Sequence, residues 1–332
     1  MVETNSGGDG ATRHAARLLH EIAGGLARAG ATSDTVLTDH LERVPDELAA
    51  ALADVVALPD RTTGWSVASG LLAEFGDPGP TPLHWKEGGG ETTRAVDIAL
   101  VLVGSSLGRV FGWAGQQAGR IVHDIVPSAG YEDMQVGASS TTALAWHTED
   151  AFHPDRPDLL MLACFRNHDR VGSLLSSIRR VVLDERDLEV LSRPDLVIVP
   201  DDSYPGDWVG GDLSENAMAT VWRADDGLCL RYDPSYTRFL TDDAELRAAY
   251  DRLGEAIDAS SEEVPIQAGD ILLVDNDIAV HGRAAYRARF DGTDRWLKRV
   301  LVRLDRPRPA EQRSGGYDQA VVRPTFRGPV AG

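Results

Sequence analysis

Gly269-Asp-Ile-Leu-Leu-Val-Asp-Asn-Asp-Ile-Ala-Val-His-Gly-Arg283 reads as a turn, a short apolar strand, a second turn and another strand ending at His281. The same pattern extends outward from it. Thr142–Glu149, Leu159–Arg166, Leu196–Val199, Met218–Arg223, Leu228–Asp233 and Trp296–Leu304 are further short runs of apolar or alternating residues. Asp155-Arg-Pro157, Pro200-Asp-Asp202, Asp225-Asp-Gly227 and Asp291-Gly292 supply turns between them. The last of these turns makes Tyr286–Arg289 and Trp296–Leu304 neighbouring strands. Many short strands without regularly alternating helices predict a sandwich or barrel rather than a parallel sheet.

The front third is different. Apolar residues recur at helical spacing from Thr12 to Ala29, and a second helical stretch runs from Ser33 to Leu58. Gly76–Gly90 is Gly- and Pro-rich and reads as a surface loop, and a helix follows at Thr92–Leu107. One helix interrupts the strands, Asp242–Ala259, with Leu246, Ala249, Tyr250, Leu253 and Ile257 on one face. Residues 1–10 are expected to be disordered. The length of 332 residues admits two domains. No composition break divides the chain, so the expectation is one domain over 11–332. Its parts are a mainly helical buttress at 11–110, a β core at 111–305 and an extended tail at 306–332.

Thirty-three Lys and Arg against 52 Asp and Glu give a net charge of -19. That excludes a nucleic-acid binder, which needs clustered cations, and argues against adsorption to an anionic membrane. The two cysteines, Cys164 and Cys229, are too few for a disulfide framework and lie in apolar runs, as buried thiols of a reducing compartment do. The N-terminus has no apolar signal-peptide core, and Ala95–Val103 is too short to span a bilayer. A cytoplasmic protein is expected; oligomeric state is not legible.

The chemistry concentrates in Ala145-Trp-His-Thr-Glu-Asp-Ala-Phe-His153. On a strand, His147 and Glu149 would share one face. Joined by His281 they make the 2-His-1-carboxylate set of non-haem Fe(II) oxygenases, three ligands with positions left open. Arg295 and Arg299 have even spacing, share a strand face and would need anions if buried. Two readings compete. Gly104-Ser-Ser-Leu-Gly108 matches a nucleophile elbow, with Ser106, Asp275 or Asp277, and His281 in the chain order of a serine α/β-hydrolase. The other is a β-barrel that binds a metabolite without catalysis.

HTEDAFHPDRPDLLMLACFRN from His147, GDILLVDNDIAVHGRAAY from Gly269 and FDGTDRWLKRVLVRLD from Phe290 together resemble the clavaminate synthase-like branch of Fe(II)/2-oxoglutarate-dependent oxygenases. Within it they resemble the free amino-acid hydroxylases of the arginine β-hydroxylase and asparagine hydroxylase type, from about Gln116 to Leu304. The resemblance implies a mainly β protein with α: a double-stranded β-helix (jelly-roll) core with an N-terminal helical layer. It implies that His147, Glu149 and His281 bind Fe(II), with 2-oxoglutarate and O2 as co-substrates. Arg295 would hold the distal 2-oxoglutarate carboxylate, helped by Ser173 or Ser176. Arg299 would take the substrate α-carboxylate, and Gln116, ahead of its neighbour Gln117, the α-amine.

The family's lid-loop Asp-x-Ser appears as Asp201-Asp-Ser203, but its later Asp-x-Asp appears as Asp233-Pro-Ser235, one acid short. The implied activity is hydroxylation at C3 or C4 of a free, arginine-like L-amino acid, in natural-product (antibiotic) biosynthesis. Lysine, citrulline, asparagine or a cyclised arginine, and desaturation or cyclisation, stay open. His153 matches a family histidine that supports the loop rather than a ligand. His14, His20, His40, His84, His123 and His168 show no partner pattern.

Overall fold

The computed structural model describes residues 6–204, 206, 213–304, 306–313, 317 and 319–327. Its helices are Ser6–Arg28 (α1), Asp46–Ala53 (α2), Arg94–Leu107 (α3), Glu185–Leu191 (α4) and Ala244–Ala259 (α5). The strands are Trp65–Ala68 (β1), Arg109–Trp113 (β2), His123–Ile125 (β3), Leu144–His147 (β4), Leu159–Arg166 (β5), Ser173–Ser177 (β6), Leu196–Ile198 (β7), Val221–Ala224 (β8), Gly227–Leu230 (β9), Thr237–Phe239 (β10), Glu262–Val264 (β11), Ile271–Asp275 (β12), Ala279–Arg283 (β13), Trp296–Arg303 (β14) and Val321–Val322 (β15).

Eleven of these strands pair antiparallel into a larger sheet ordered β1-β12-β5-β14-β2-β15, with β3 also on β14, and a smaller sheet ordered β11-β6-β13-β4, while β10 pairs with β7 and β8 with β9 apart from them. Two antiparallel sheets facing one another form the jelly-roll core. β5 and β14 are its centre, and a two-sided apolar sequence suits them to burial on both faces. Along β14, Val300 and Val302 join Ile98–Val103 of α3 and the apolar faces of α1 and α2 in one core. Leu297 and Leu301 point the other way, into the core between the sheets. The helical layer therefore covers the outer face of the large sheet and leaves its inner face to the site. No helix among the described residues is long and apolar enough to cross a membrane.

Several elements depart from the sequence expectation. Helix α1 starts at Ser6, within the stretch expected to be disordered. Ser33–Leu58 is not one helix: a short π-helical turn at Val36–His40 is followed by an extended Leu41 and then α2. Pro45 caps α2 and explains the break, because proline donates no hydrogen bond and disfavours helix before it. Tyr286–Arg289 pairs with no strand among the described residues, and β14 begins one residue after Arg295, with a bulge between Trp296 and Leu297. The tail is not loose where described: Arg308 is 5% exposed and Gln312 0%.

Gly104, Ser105 and Ser106 lie inside α3, where the Ser106 hydroxyl donates to the Val103 carbonyl at 2.7 Å. A helix interior is not the strand-to-helix elbow a hydrolase needs, which removes that reading.

Candidate active site

β4 and β13 are neighbours, and their register sets His147 directly opposite His281. The rings lie 4.1 Å apart between centroids. Glu149 is not on the strand as expected: β4 ends at His147, and Glu149 sits in the turn that follows, ahead of Asp150 at φ 51°. Convergence survives because Asn276, fully buried in the turn between β12 and β13, clamps that segment. Its side chain accepts from the Glu149 N–H at 2.7 Å and donates to the Glu149 carbonyl at 2.9 Å. The result is one ligand atom each from His147, Glu149 and His281, all within 4.8 Å of one another. The turn that leads to one ligand thus fixes the backbone of another.

The donor set suits a divalent metal. His147 Nδ1 lies 2.9 Å from the Ala145 carbonyl, so it carries the proton and Nε2 keeps its lone pair for coordination. Burial, then the neighbouring His281, lowers the His147 pKa to about 4, so the ring is neutral at pH 7. Burial opposes ionisation of Glu149, but Arg299 and His281 hold its carboxyl well below the usual range. Two imidazoles and a carboxylate on one side of a cleft are the donor set of a 2-His-1-carboxylate iron site.

Two arginines flank this group. Arg299 contacts Glu149 Oε1 through Nη1, and its Nη2 reaches Gln116 Oε1 at 2.6 Å and His123 Nδ1 at 2.7 Å. His123 Nε2 is 3.0 Å from the Arg120 carbonyl, so that nitrogen donates and Nδ1 accepts from the guanidinium. His123 was without a partner pattern in the sequence; the fold makes it a prop for Arg299. Gln116 also donates to Ser203 Oγ at 3.1 Å. Gln117 turns away and bonds Asp124 and Arg120. Arg295 is buried, and its Nη2 donates to Ser173 Oγ at 3.3 Å while Nε finds no partner among the described residues. Ser176 faces elsewhere and pairs with Ser260 at 2.8 Å.

The cleft encloses about 950 Å³, counting its open mouth, and Arg295, Arg299, Asp201 and Asp233 line it with the three candidate ligands. Asp201 Oδ1 accepts the Ser203 N–H at 2.7 Å. Asp233 Oδ1 accepts from Ser235 N at 3.1 Å and Tyr236 N at 3.3 Å. Burial, then the charge of Asp201, raises the Asp233 pKa to about 8. Ser235 lines the same cleft in place of a second acid. His153 stays outside the ligand group; its Nδ1 accepts from Asp155 N at 2.9 Å and its ring meets Trp113 edge-on.

One further residue had no signal in the sequence. Asp150, beside Glu149, accepts from Trp113 Nε1 and from Tyr204 OH, both at 2.7 Å. It ties the ligand-bearing turn to residues 201–204, which carry Asp201.

Residues 99–301 match the model of the taurine catabolism dioxygenase TauD, TfdA family. The chain is 37% identical over 281 residues to an enduracididine beta-hydroxylase of Streptomyces hygroscopicus, covering 78% of this chain and 82% of that one. It is 35% identical over 260 residues to an L-ornithine/L-arginine 3-hydroxylase of Catenulispora acidiphila, covering 71% and 75%. Among solved structures, the non-heme iron oxygenase OrfP in complex with Fe and alpha-ketoglutaric acid superposes with a TM-score of 0.74 at 36% identity, covering 91% of this chain and 97% of that one.

Proposed function

We propose, on the premise that this chain belongs to the TauD/TfdA dioxygenase family, that its cleft hydroxylates C3 of a free L-amino acid with a guanidine-type cationic side chain. The chain is an Fe(II)/2-oxoglutarate-dependent dioxygenase, an amino-acid hydroxylase of mainly β fold. In this reading His147, Glu149 and His281 hold the iron. Iron with 2-oxoglutarate would supply the oxidising chemistry, by which O2, the co-substrate and the amino acid become succinate, CO2 and the hydroxylated amino acid. The rest of the chain binds, aims and excludes water.

Arg295 and Ser173 take the distal carboxylate of 2-oxoglutarate. A buried guanidinium with an unpartnered Nε is a half-finished ion pair, and a carboxylate completes it with charge-assisted hydrogen bonds. Arg299 and Gln116 take the α-carboxylate and α-amine of the substrate. Because Gln116 and His123 hold Arg299 in place, its guanidinium is oriented before substrate arrives.

The observation that carries the substrate class is the pair Asp201 and Asp233, two carboxylates in one cleft whose mutual repulsion a cation relieves. Each has one oxygen committed to backbone N–H groups, so each offers a single free oxygen, and Ser235 offers a hydroxyl. That set suits a guanidine sharing its N–H groups among separate acceptors, as arginine or a cyclised arginine does. The names of the relatives support the same reading. Two free buried thiols support a reducing, cytoplasmic compartment, and natural-product biosynthesis is the setting the relatives suggest.

The test is anaerobic reconstitution with Fe(II) and 2-oxoglutarate, then exposure to air with single amino acids, read by mass. A gain of one oxygen on arginine or a cyclised arginine, coupled to succinate, is expected. Succinate formation stimulated equally by neutral amino acids would overturn the substrate class.

A further inference from the structure

His147 stands on β4, the outermost strand of the smaller sheet, with β13 on one side and, among the described residues, no strand on the other. A free strand edge leaves backbone N–H and C=O groups without a ladder to join. β4 is also irregular. His281 faces His147 and Arg283 faces Leu144, three steps along β4 against two along β13. β4 therefore carries one extra residue, a bulge just ahead of His147, and a bulge re-aims the side chain beside it. Gly282 packs against this bulge; a Cβ there would come within 2.8 Å of the Leu144 carbonyl oxygen.

A side chain takes the place of the missing strand. Gln135 lays its amide along the free edge of β4. Its Oε1 accepts from Ala145 N–H at 3.0 Å, and its Nε2 donates to the Ala143 carbonyl at 3.0 Å. These are one acceptor and one donor, as a neighbouring strand would offer, and the two backbone partners fix which end of the amide is which. The Ala145 carbonyl lies 2.9 Å from His147 Nδ1. Both backbone groups of Ala145 are thus engaged, one by Gln135 and the other by the imidazole of His147.

Gln135 has a firm base. It belongs to residues 126–143, which contain no helix or strand but form a wall of the cleft. The Glu132 carbonyl accepts from Ser140 N at 3.0 Å and Thr141 N at 3.1 Å. From β13, the buried Arg283 donates to the carbonyls of Ser139 and Thr142.

We infer that Gln135 is a positioning residue for the metal site, acting through the bulge of β4. It fixes Ala145, whose carbonyl holds the His147 ring with Nε2 free to coordinate. The inference rests on the reading of His147 as a metal ligand. Loss of a hydrogen-bond partner behind a ligating histidine typically costs about 10–100-fold in metal affinity. Gln135 stands one residue further back, so the lower end of that range is expected.

The test is Co(II) titration of the full chain, followed by calorimetry and by the Co(II) absorption band. Gln135→Met, close in size, should weaken Co(II) binding about tenfold and shift the band. The metal-free Tm should stay within about 2 °C of the unaltered protein. Amide hydrogen exchange gives a second readout that needs no variant: Ala145 N–H should be protected in the unaltered protein. Gln135→Met should release that amide while those of β13 keep their protection. Unchanged affinity in Gln135→Met, free exchange at Ala145 in the unaltered protein, or lost affinity matched by a large fall in metal-free Tm would each overturn the proposal. Unaltered protein that binds no Co(II), or His147→Ala that binds it equally well, would instead overturn the ligand reading, and this inference with it.

Discussion

The two faces of β14 handle buried charge in opposite ways. On the outer face Lys298 is fully buried, 2.7 Å from Asp97, 3.1 Å from Asp124 and 3.2 Å from Thr93 Oγ1, between the rings of Phe165 and Trp296. Every charge there is answered within the chain. On the inner side Arg295, just ahead of β14, has one long hydrogen bond and an Nε without a partner among the described residues, and Arg299 on the strand shares itself among Glu149, Gln116 and His123. One residue of alternation separates a finished structural ion cluster from the surface proposed to receive anions. A buried arginine left incomplete inside a cleft points to a ligand; a buried lysine fully ringed by acids does not.

Mutations that respect this division should separate activity from stability. The largest effect on activity is expected from His147→Ala, which should lower amino-acid-dependent succinate formation roughly a thousandfold or more while the circular dichroism spectrum stays unchanged. Next comes the pair Lys298→Met and Arg295→Met. Removing Lys298 strands Asp97 and Asp124 in the interior and should cost about 3–5 kcal/mol in denaturant unfolding. Its effect on 2-oxoglutarate affinity should be small. Arg295→Met should do the reverse, leaving stability equal or higher while the KM for 2-oxoglutarate rises roughly a hundredfold. Equal behaviour of the two variants would erase the distinction between the faces.

Asp233→Asn should weaken a cationic amino acid by roughly thirtyfold and a neutral one only slightly, measured as KM under saturating 2-oxoglutarate. The smallest effect is in pH. Asp233 in the substrate-free cleft keeps its proton up to about pH 8. A cation favours the carboxylate and expels that proton, so affinity should climb as pH rises toward 8 and level off above. The slope is at most about tenfold per pH unit, and Asp233→Asn should flatten it. Stability runs the other way. The unfolded chain ionises Asp233 near the ordinary carboxyl value while the folded chain does not, so this group's contribution is lost as pH rises through about 8.

The three candidate ligands were legible in the sequence because their pattern is local: an HxE at 147–149 and a strand ending in His281. Short strands followed from alternation and turn residues, but the jelly-roll and the roles of Arg295 and Arg299 came from the family resemblance, and Arg295 precedes β14 rather than sharing its strand face. The supporting residues were not legible. Asn276 reaches Glu149, and His123 reaches Arg299, across long stretches of chain, and nothing beside either residue announces the contact. Ser173 and Ser176 could not be separated until the register of β6 put one toward Arg295 and the other toward Ser260. Glu149 left its expected strand because the turn at Asp150 and the Asn276 clamp outweigh local strand propensity. The break before Pro45 was missed in the expectation of one helical stretch over Ser33–Leu58, although a proline disfavours helix at the residue before it.

Anaerobic titration of the Fe(II)-loaded protein with 2-oxoglutarate tests the role of the inner face most directly. Saturable binding that requires Fe(II), weakens about a hundredfold in Arg295→Met and is unchanged in folded Lys298→Met is the expected result. Binding that is indifferent to Fe(II) and to Arg295 would contradict it.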